Sequence, residues 1–330
     1  MNLADLFGFG FMQRALIAAL VSGLLCPAVG TYVVQRRLSL LGDGLGHVAT
    51  AGIGLALLTG TAPLPVAVAV CLLGAVGIEW LRQSGRASAD VGLAILFYGG
   101  LSLGLLLASL AGQGTGTLAQ YLFGSLITVS RADLWLIGAL ALVVLVVSLG
   151  LAPQLFSVCA DEEYARTQGL PVRWLNIVIV ALAALTVTLS MRTVGLLLVS
   201  ALMVVPVAAA ANLGGSFRTT LALAMGIGVA VSGAGVVVSA GADVASGPTI
   251  VVAAIAVFLV SAGIAALRAR ASRAAVAADA GLVAVGPHIV AEPHAPDEPE
   301  HDLAVLHGDH VDYLHDGHRH APHDDHYDEH

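Results

Sequence analysis

Runs of about twenty apolar residues, the length at which a helix crosses roughly 30 Å of hydrocarbon, return nine times along this chain. They lie at 15–34, 38–58, 62–78, 91–111, 134–151, 175–191, 194–213, 219–242 and 248–267. A segment in lipid has no water to satisfy its backbone, so each run is predicted to be a helix that satisfies its own. Composition agrees: 58% of the 330 residues are hydrophobic and 11% are charged, and the mean hydropathy is +0.90. A soluble surface of this size needs about a quarter of its residues charged. The expected fold is all-α, a polytopic membrane protein of about nine helices, with eight as the alternative. The Gly/Thr-rich stretch 112–130 is a candidate re-entrant segment. The N-terminus has no basic stretch and no small-residue cleavage site before its first apolar run, so that run is expected to stay as a helix.

The polar residues collect at the C-terminal end, which divides the chain into a membrane domain (1–270) and a tail (271–330). Within 287–330 there are 11 histidines, 12 acids and one arginine. Such a segment buries little apolar surface and is expected to be disordered. His307, His310, His315, His318, His320, His323, His326 and His330 recur among aspartates, a composition that reads as metal-binding. Nine spans with the N-terminus outside put Arg36, Arg37, Arg82, Arg86, Arg166, Arg173, Arg218, Arg268, Arg270 and Arg273 in the cytoplasm and only Arg14, Arg131 and Arg192 outside. That is the positive-inside pattern, and it places the tail in the cytoplasm of a cell whose inner membrane holds the rest.

All 14 basic residues are arginine, so the lysine of a phosphate-binding Walker loop is missing. Transport driven by ATP would need the nucleotide site on another chain. Cys26, Cys71 and Cys159 stand far apart in sequence and suggest neither a disulfide framework nor a cysteine metal site. Nothing in the composition suggests a nucleic-acid partner or a permanently bound cofactor.

One span departs from the apolar rule. The run LSLLGDGLGHVATAGIGLALL carries Asp43 and His47, and His47 is the only histidine before residue 288. Four residues apart, they share a helix face, and ionisable groups within a span are costly and usually functional. Carboxylate and imidazole suit zinc or manganese. The competing reading is an Asp–His hydrogen bond that serves packing alone. One helix supplies only two ligands, whereas a two-fold dimer would supply four. Gly42, Gly46, Thr50 and Gly54 form a small-residue stripe beside the pair, at the spacing that lets helices approach closely. Glu79 reads as the partner of Arg82, three residues on. Asp90 and Asp133 read as caps of the spans that follow them. Pro27 and Pro206 are expected to kink or break their helices.

Between the fifth and sixth runs lies FSVCADEEYARTQGLPVRW. Asp161, Glu162 and Glu163 suit the first turn of a short helix, Gly169 suits the position just past its end, and Pro171 prevents its continuation. Two turns of helix are not stable alone in water and require a surface to rest on.

From about Arg14 to Leu267 the chain resembles the membrane subunits of bacterial zinc, manganese and iron ABC importers. The segments that carry the likeness are RRLSLLGDGLGHVATAGIGLAL, ADVGLAILFYGGLSLGLLL, AQYLFGSLITVS, DEEYARTQGLPV, VGLLLVSALMVVPVAAAANL and SGPTIVV. The resemblance implies a homodimeric permease joined to ABC ATPase subunits and fed by an extracytoplasmic metal-binding protein. It implies that Asp43 and His47 gate the metal. It also makes 161–168 the coupling helix, with Asp161, Glu162, Glu163, Ala165 and Gly169 as ATPase-coupling residues. Gly46 and Ala51 stand where the family usually has Ser and Pro, so an altered helix shape and an intact site are expected. The histidine tail favours zinc over manganese, which prefers oxygen ligands. A secondary metal carrier or exporter working without an ATPase, and a metal sensor anchored by its spans, are the competing functions.

Overall fold

The computed structural model describes residues 10–86, 88–112, 131–191, 194–242, 244–283, 289–291, 303–307, 310–315, 318–323 and 326–329. The chain divides into two compact units, 1–266 and 267–330. The described residues before 284 contain helices and no strand. In chain order the helices are α1 (Gly10–Gln35), α2 (Leu41–Thr59), α3 (Pro63–Gln83), α4 (Ala89–Ala94), a π-helical turn (Ile95–Gly99), α5 (Gly100–Leu110), α6 (Arg131–Gly150), α7 (Ala152–Ala160), α8 (Glu162–Thr167), α9 (Val172–Ser190), α10 (Leu196–Ala211), α11 (Phe217–Ala242) and α12 (Ser246–Val283).

Every one of the nine apolar runs is a helix, but length sorts them. Among the described residues seven helices are long and apolar enough to cross a membrane. The pair α6 and α7, bent by 65° at Leu151, makes an eighth span if taken as one. The ninth run is shorter than expected. α10 has 16 residues, about 24 Å of helix, because Gly195 stands at φ +92 and the helix starts only after it. Pro206 lies inside α10 and Pro27 inside α1; both helices continue past them. The stretch 113–130 and Arg192, both of which entered the sequence reading, lie outside the described residues.

Local signals explain the ends. Gly60, at φ +66, closes α2 by donating its N–H to the Ala56 carbonyl, and Pro63 opens α3 at a position where no N–H is needed. The cap of α4 is Ser88, whose side chain accepts from the Val91 N–H. Asp90, expected in that role, sits two residues later, in the first turn, where its charge still meets the positive end of the helix. Asp133 lies inside α6.

The described residues of the tail carry five short strands, β1 (Ile289–Ala291), β2 (Leu303–His307), β3 (His310–His315), β4 (His318–His323) and β5 (His326–Glu329). They pair antiparallel in the order β1-β5-β4-β3-β2. Low bulk hydrophobicity argues against a packed core in this segment.

Candidate functional site

The site is built on α2, which is at once the least apolar of the long helices and the most buried, 78% of its span lying inside the protein. Backbones approach it without side chains between them. A Cβ on Gly100 would stand 2.6 Å from the His47 carbonyl carbon, and one on Gly104 would stand 2.9 Å from the Ala51 nitrogen. On other sides Gly52 meets the Ala67 Cα and Gly42 meets the Ser200 Oγ, each with room for hydrogen only. The glycines therefore form a clamp: α3, α5 and α10 hold α2 at distances that no larger residue permits.

Asp43 lies half-buried in the first turn of α2, and His47 follows one turn later, 7% exposed. No hydrogen bond joins them, so the packing reading of the pair finds no support in the geometry. The His47 Nδ1 is buried without a partner, an arrangement that costs about 1–3 kcal/mol unless something else satisfies it. Its ring packs edge-on against Phe97, with centroids 4.2 Å apart. Phe97 stands in the π-helical turn Ile95–Gly99, a distortion that frequently marks functional positions. The Ser200 Oγ, facing Gly42 from α10, is another buried polar atom without a partner. Gly46, where a serine was the family expectation, lies against Leu196: a Cβ there would stand 2.6 Å from its Cδ1. α2 remains one unbroken helix.

Among the described residues no three His, Cys, Asp or Glu side chains converge on one point. Asp43 and His47 stand as a pair on one helix, with no third such side chain beside them among the described residues.

The second locus is α8. The Asp161 side chain caps it, accepting from the backbone N–H of Glu163 at 2.9 Å and of Tyr164 at 3.0 Å. At the other end Leu170 N–H reaches the Ala165 carbonyl and Gly169 N–H reaches that of Arg166, a Schellman closure made possible by Gly169 at φ +78. Glu163, Tyr164, Arg166, Thr167 and Gln168 are exposed. Ala165 is not: it is fully buried against its own chain, so the expectation that it meets an ATPase is corrected. It is the foot on which α8 stands.

Glu162 ties this helix to the span ends. Its carboxylate meets Arg36, just past α1, accepts from Asn176 Nδ2 of α9 at 3.1 Å, and has Arg82 of α3 and Arg166 of α8 each at 3.8 Å. Arg82 is itself bidentate with buried Glu79, at 2.7 and 2.8 Å, and Gln83 donates to the same carboxylate at 2.9 Å. The Glu79–Arg82 pair was legible from its spacing; Arg36 and Asn176 were not, because they lie 126 and 14 residues from Glu162 and no local pattern links them.

Comparison with known proteins gives consistent results. Residues 8–265 match the family model described as the ABC 3 transport family. The manganese transport system membrane protein MntC of Halalkalibacterium halodurans is 33% identical over 256 residues, covering 77% of this chain and 87% of that one. The high-affinity zinc uptake system membrane protein ZnuB of Haemophilus influenzae is 29% identical, covering 77% and 97%. The chelated iron transport system membrane protein YfeD of Yersinia pestis is 32% identical, covering 78% and 87%. Among solved structures, PsaBC from Streptococcus pneumoniae in complex with Fab superimposes with a TM-score of 0.71 at 28% identity, covering 78% of this chain and 94% of that one.

Proposed function

The chain belongs to the ABC 3 transport family, and from that premise we propose that it is the permease of an ATP-driven importer of a divalent transition metal, zinc in the first place. The observation that carries the reading is the pair Asp43 and His47 on the most buried span, with an imidazole nitrogen left unsatisfied. Relatives named for manganese, zinc and iron share this length of chain, which supports the class of cargo. An imidazole donor and the histidine tail favour zinc within it. A second copy of the chain would supply the matching Asp43 and His47 and bring the donors to four. The ion is cargo, handed over by an extracytoplasmic binding protein and released to the cytoplasm; ATP is hydrolysed by a partner subunit.

α8 is the element that supports coupling. Two turns of helix, capped at both ends and fixed to α1, α3 and α9 through Glu162, present Glu163, Tyr164 and Thr167 outward as a rigid block. An ATPase docked on that block would move it as one piece, and Arg36, five residues before the start of α2, would carry the motion to the helix that bears the metal ligands. The tail, on the arginine-rich side, is read as a cytoplasmic zinc-binding element outside the pore.

The test is uptake of zinc, manganese and iron by membranes holding the permease with its ATPase and binding protein. Zinc uptake dependent on ATP and lost in Asp43→Ala is the expected result. Uptake that persists without any ATPase would instead make the protein a secondary carrier.

A further inference from the structure

The fold brings to one place two groups of arginines that lie far apart in sequence. Gln83, the last residue of α3, donates from its Nε2 to the Arg173 carbonyl of α9 at 3.2 Å, joining span ends that stand 90 residues apart. Beside this join, Arg166, Pro171, Val172, Arg173 and Trp174 line an open cleft of about 410 Å³, a volume that suits a small polar ligand.

The charges of the cleft call for an anion. Arg173 stands in the first turn of α9, which holds no acidic residue. A cation there opposes the positive end of the helix dipole. Arg36, Arg82 and Arg166 all meet Glu162, whereas among the described residues no carboxylate pairs with Arg173 or Arg86. Arg166 is 3.8 Å from the Glu162 carboxylate with its side chain 63% exposed, so its fork of five N–H groups retains free donors.

The other walls set the depth of that anion. Trp174 lies in the first turn of α9 and Trp80 in the last turn of α3, both helices being long and apolar enough to cross a membrane. The two side chains are 70% and 59% exposed. Arg86 lies over the Trp80 ring, its Cζ 5.7 Å from the centroid. Exposed tryptophans at span ends belong to the boundary between acyl chains and headgroups, where the indole keeps an apolar body in lipid and an N–H in water. A soluble anion would use the arginines and leave the indoles bare. A lipid that carries both a phosphate and acyl chains uses all of them.

We propose that this cleft binds the headgroup of an anionic phospholipid, with Arg166 and Arg173 on the phosphate and Trp174 and Trp80 against the glycerol and upper acyl chains. Guanidinium forks match phosphate oxygens. The bound lipid offsets the charge that Arg173 brings to the start of α9 and braces the turn 168–171 between α8 and α9. It concerns the lipid boundary of the spans and holds whichever metal is carried.

The full chain with Trp80→Phe and Trp135→Phe keeps Trp174 as its one tryptophan, and this protein is placed in nanodiscs. Brominated acyl chains quench tryptophan on contact, so Trp174 reports which lipid occupies the cleft. Phosphatidylglycerol and phosphatidylcholine with the same brominated chains are compared, each diluted into unbrominated phosphatidylcholine. Two arginines, each contributing about fivefold, should let phosphatidylglycerol reach half-quenching at a mole fraction lower by about tenfold or more. Arg166→Gln and Arg173→Gln should each reduce this preference by about fivefold. Arg218→Gln is the matched control: it removes an exposed arginine from the first turn of α11 that lines no part of the cleft, and should change the preference by less than about twofold. Equal quenching by the two lipids would overturn the proposal, and is the result a cleft filled by soluble phosphate would give. No quenching by either would also overturn it, by placing Trp174 under protein. An equal loss in Arg218→Gln would replace the cleft by diffuse surface charge.

Discussion

α2 and α12 are both membrane helices, and they are built on opposite rules. α12 is the most apolar of the long helices and the least enclosed, with 17% of its span buried; α2 is the least apolar and the most enclosed, at 78%. In water the relation runs the other way, because the solvent is polar and the interior takes the apolar residues. In lipid the solvent is itself apolar, so burial of leucine contributes little, and the interior instead collects what lipid rejects: glycine edges, hydroxyls, a carboxylate and an imidazole. α12 shows bare Val252, Leu259, Val260 and Leu267 outward. α2 shows almost nothing outward. In such a protein the least hydrophobic span is the place to look for chemistry.

The sharpest way to break this contrast is at the ligands. Asp43→Ala and His47→Ala should reduce metal uptake by at least about 100-fold, since a transition-metal site that loses a first ligand loses more than the 10–100-fold typical of an outer partner. Insertion and assembly should survive, because each change makes the span more apolar. Uptake of radiolabelled zinc and recovery of the complex from detergent are the two measurements. Wild-type uptake in either variant would mean that α2 is buried for packing alone.

Next in size is the glycine clamp. Gly104→Leu forces a side chain against the α2 backbone at Thr50 and Ala51 and should cost about 3 kcal/mol or more by overpacking, seen as loss of the folded protein on detergent heating. Gly263→Leu in α12, which has nothing within 4 Å of its added Cβ, should leave that transition where it was. Equal effects would show that enclosure, the quantity separating the two helices, does not govern tolerance.

A smaller effect is expected where α8 meets the span ends. Arg36 has a side chain 7% exposed and leans on Glu162. Glu162→Gln keeps the shape, removes the countercharge, and should destabilise by about 1–3 kcal/mol, less than for a deeply buried pair because Glu162 itself is 31% exposed. The more telling measure is coupling: the ATP hydrolysed per metal transported should rise, while copurification with the ATPase persists. An unchanged ratio would reduce the cluster to local packing.

Legibility followed the same division. The spans were readable because lipid imposes a length and an apolar rule on every residue, and Asp43 and His47 were readable because they break it. The π-helical turn that brings Phe97 onto His47 was not, since ILFYG carries no mark distinguishing it from ordinary helix. The burial of Ala165 was hidden for the reason that exposed Tyr164 and Arg166 flank it and the loop reads as polar. Continuous hydropathy over 194–213 concealed the late start of α10, which a single backbone angle at Gly195 decides.

The smallest expected effect tests what covers α12. If its outer face meets lipid, Leu259→Ala exchanges one apolar contact with acyl chains for another, and stability should move by no more than about 0.5 kcal/mol. Transfer of a leucine from lipid to lipid has no hydrophobic driving force to lose. If instead a second copy of the chain rests on that face, the same truncation opens a cavity in a packed contact and costs about 2–5 kcal/mol. The measurement is heating in detergent with the oligomeric state followed by light scattering. A near-zero shift with assembly unchanged assigns the face to lipid and leaves the contrast with α2 complete. A shift of several degrees, with dissociation, would make α12 a buried helix whose partner lies in another chain, and the two rules would then apply to the assembly and not to the single subunit.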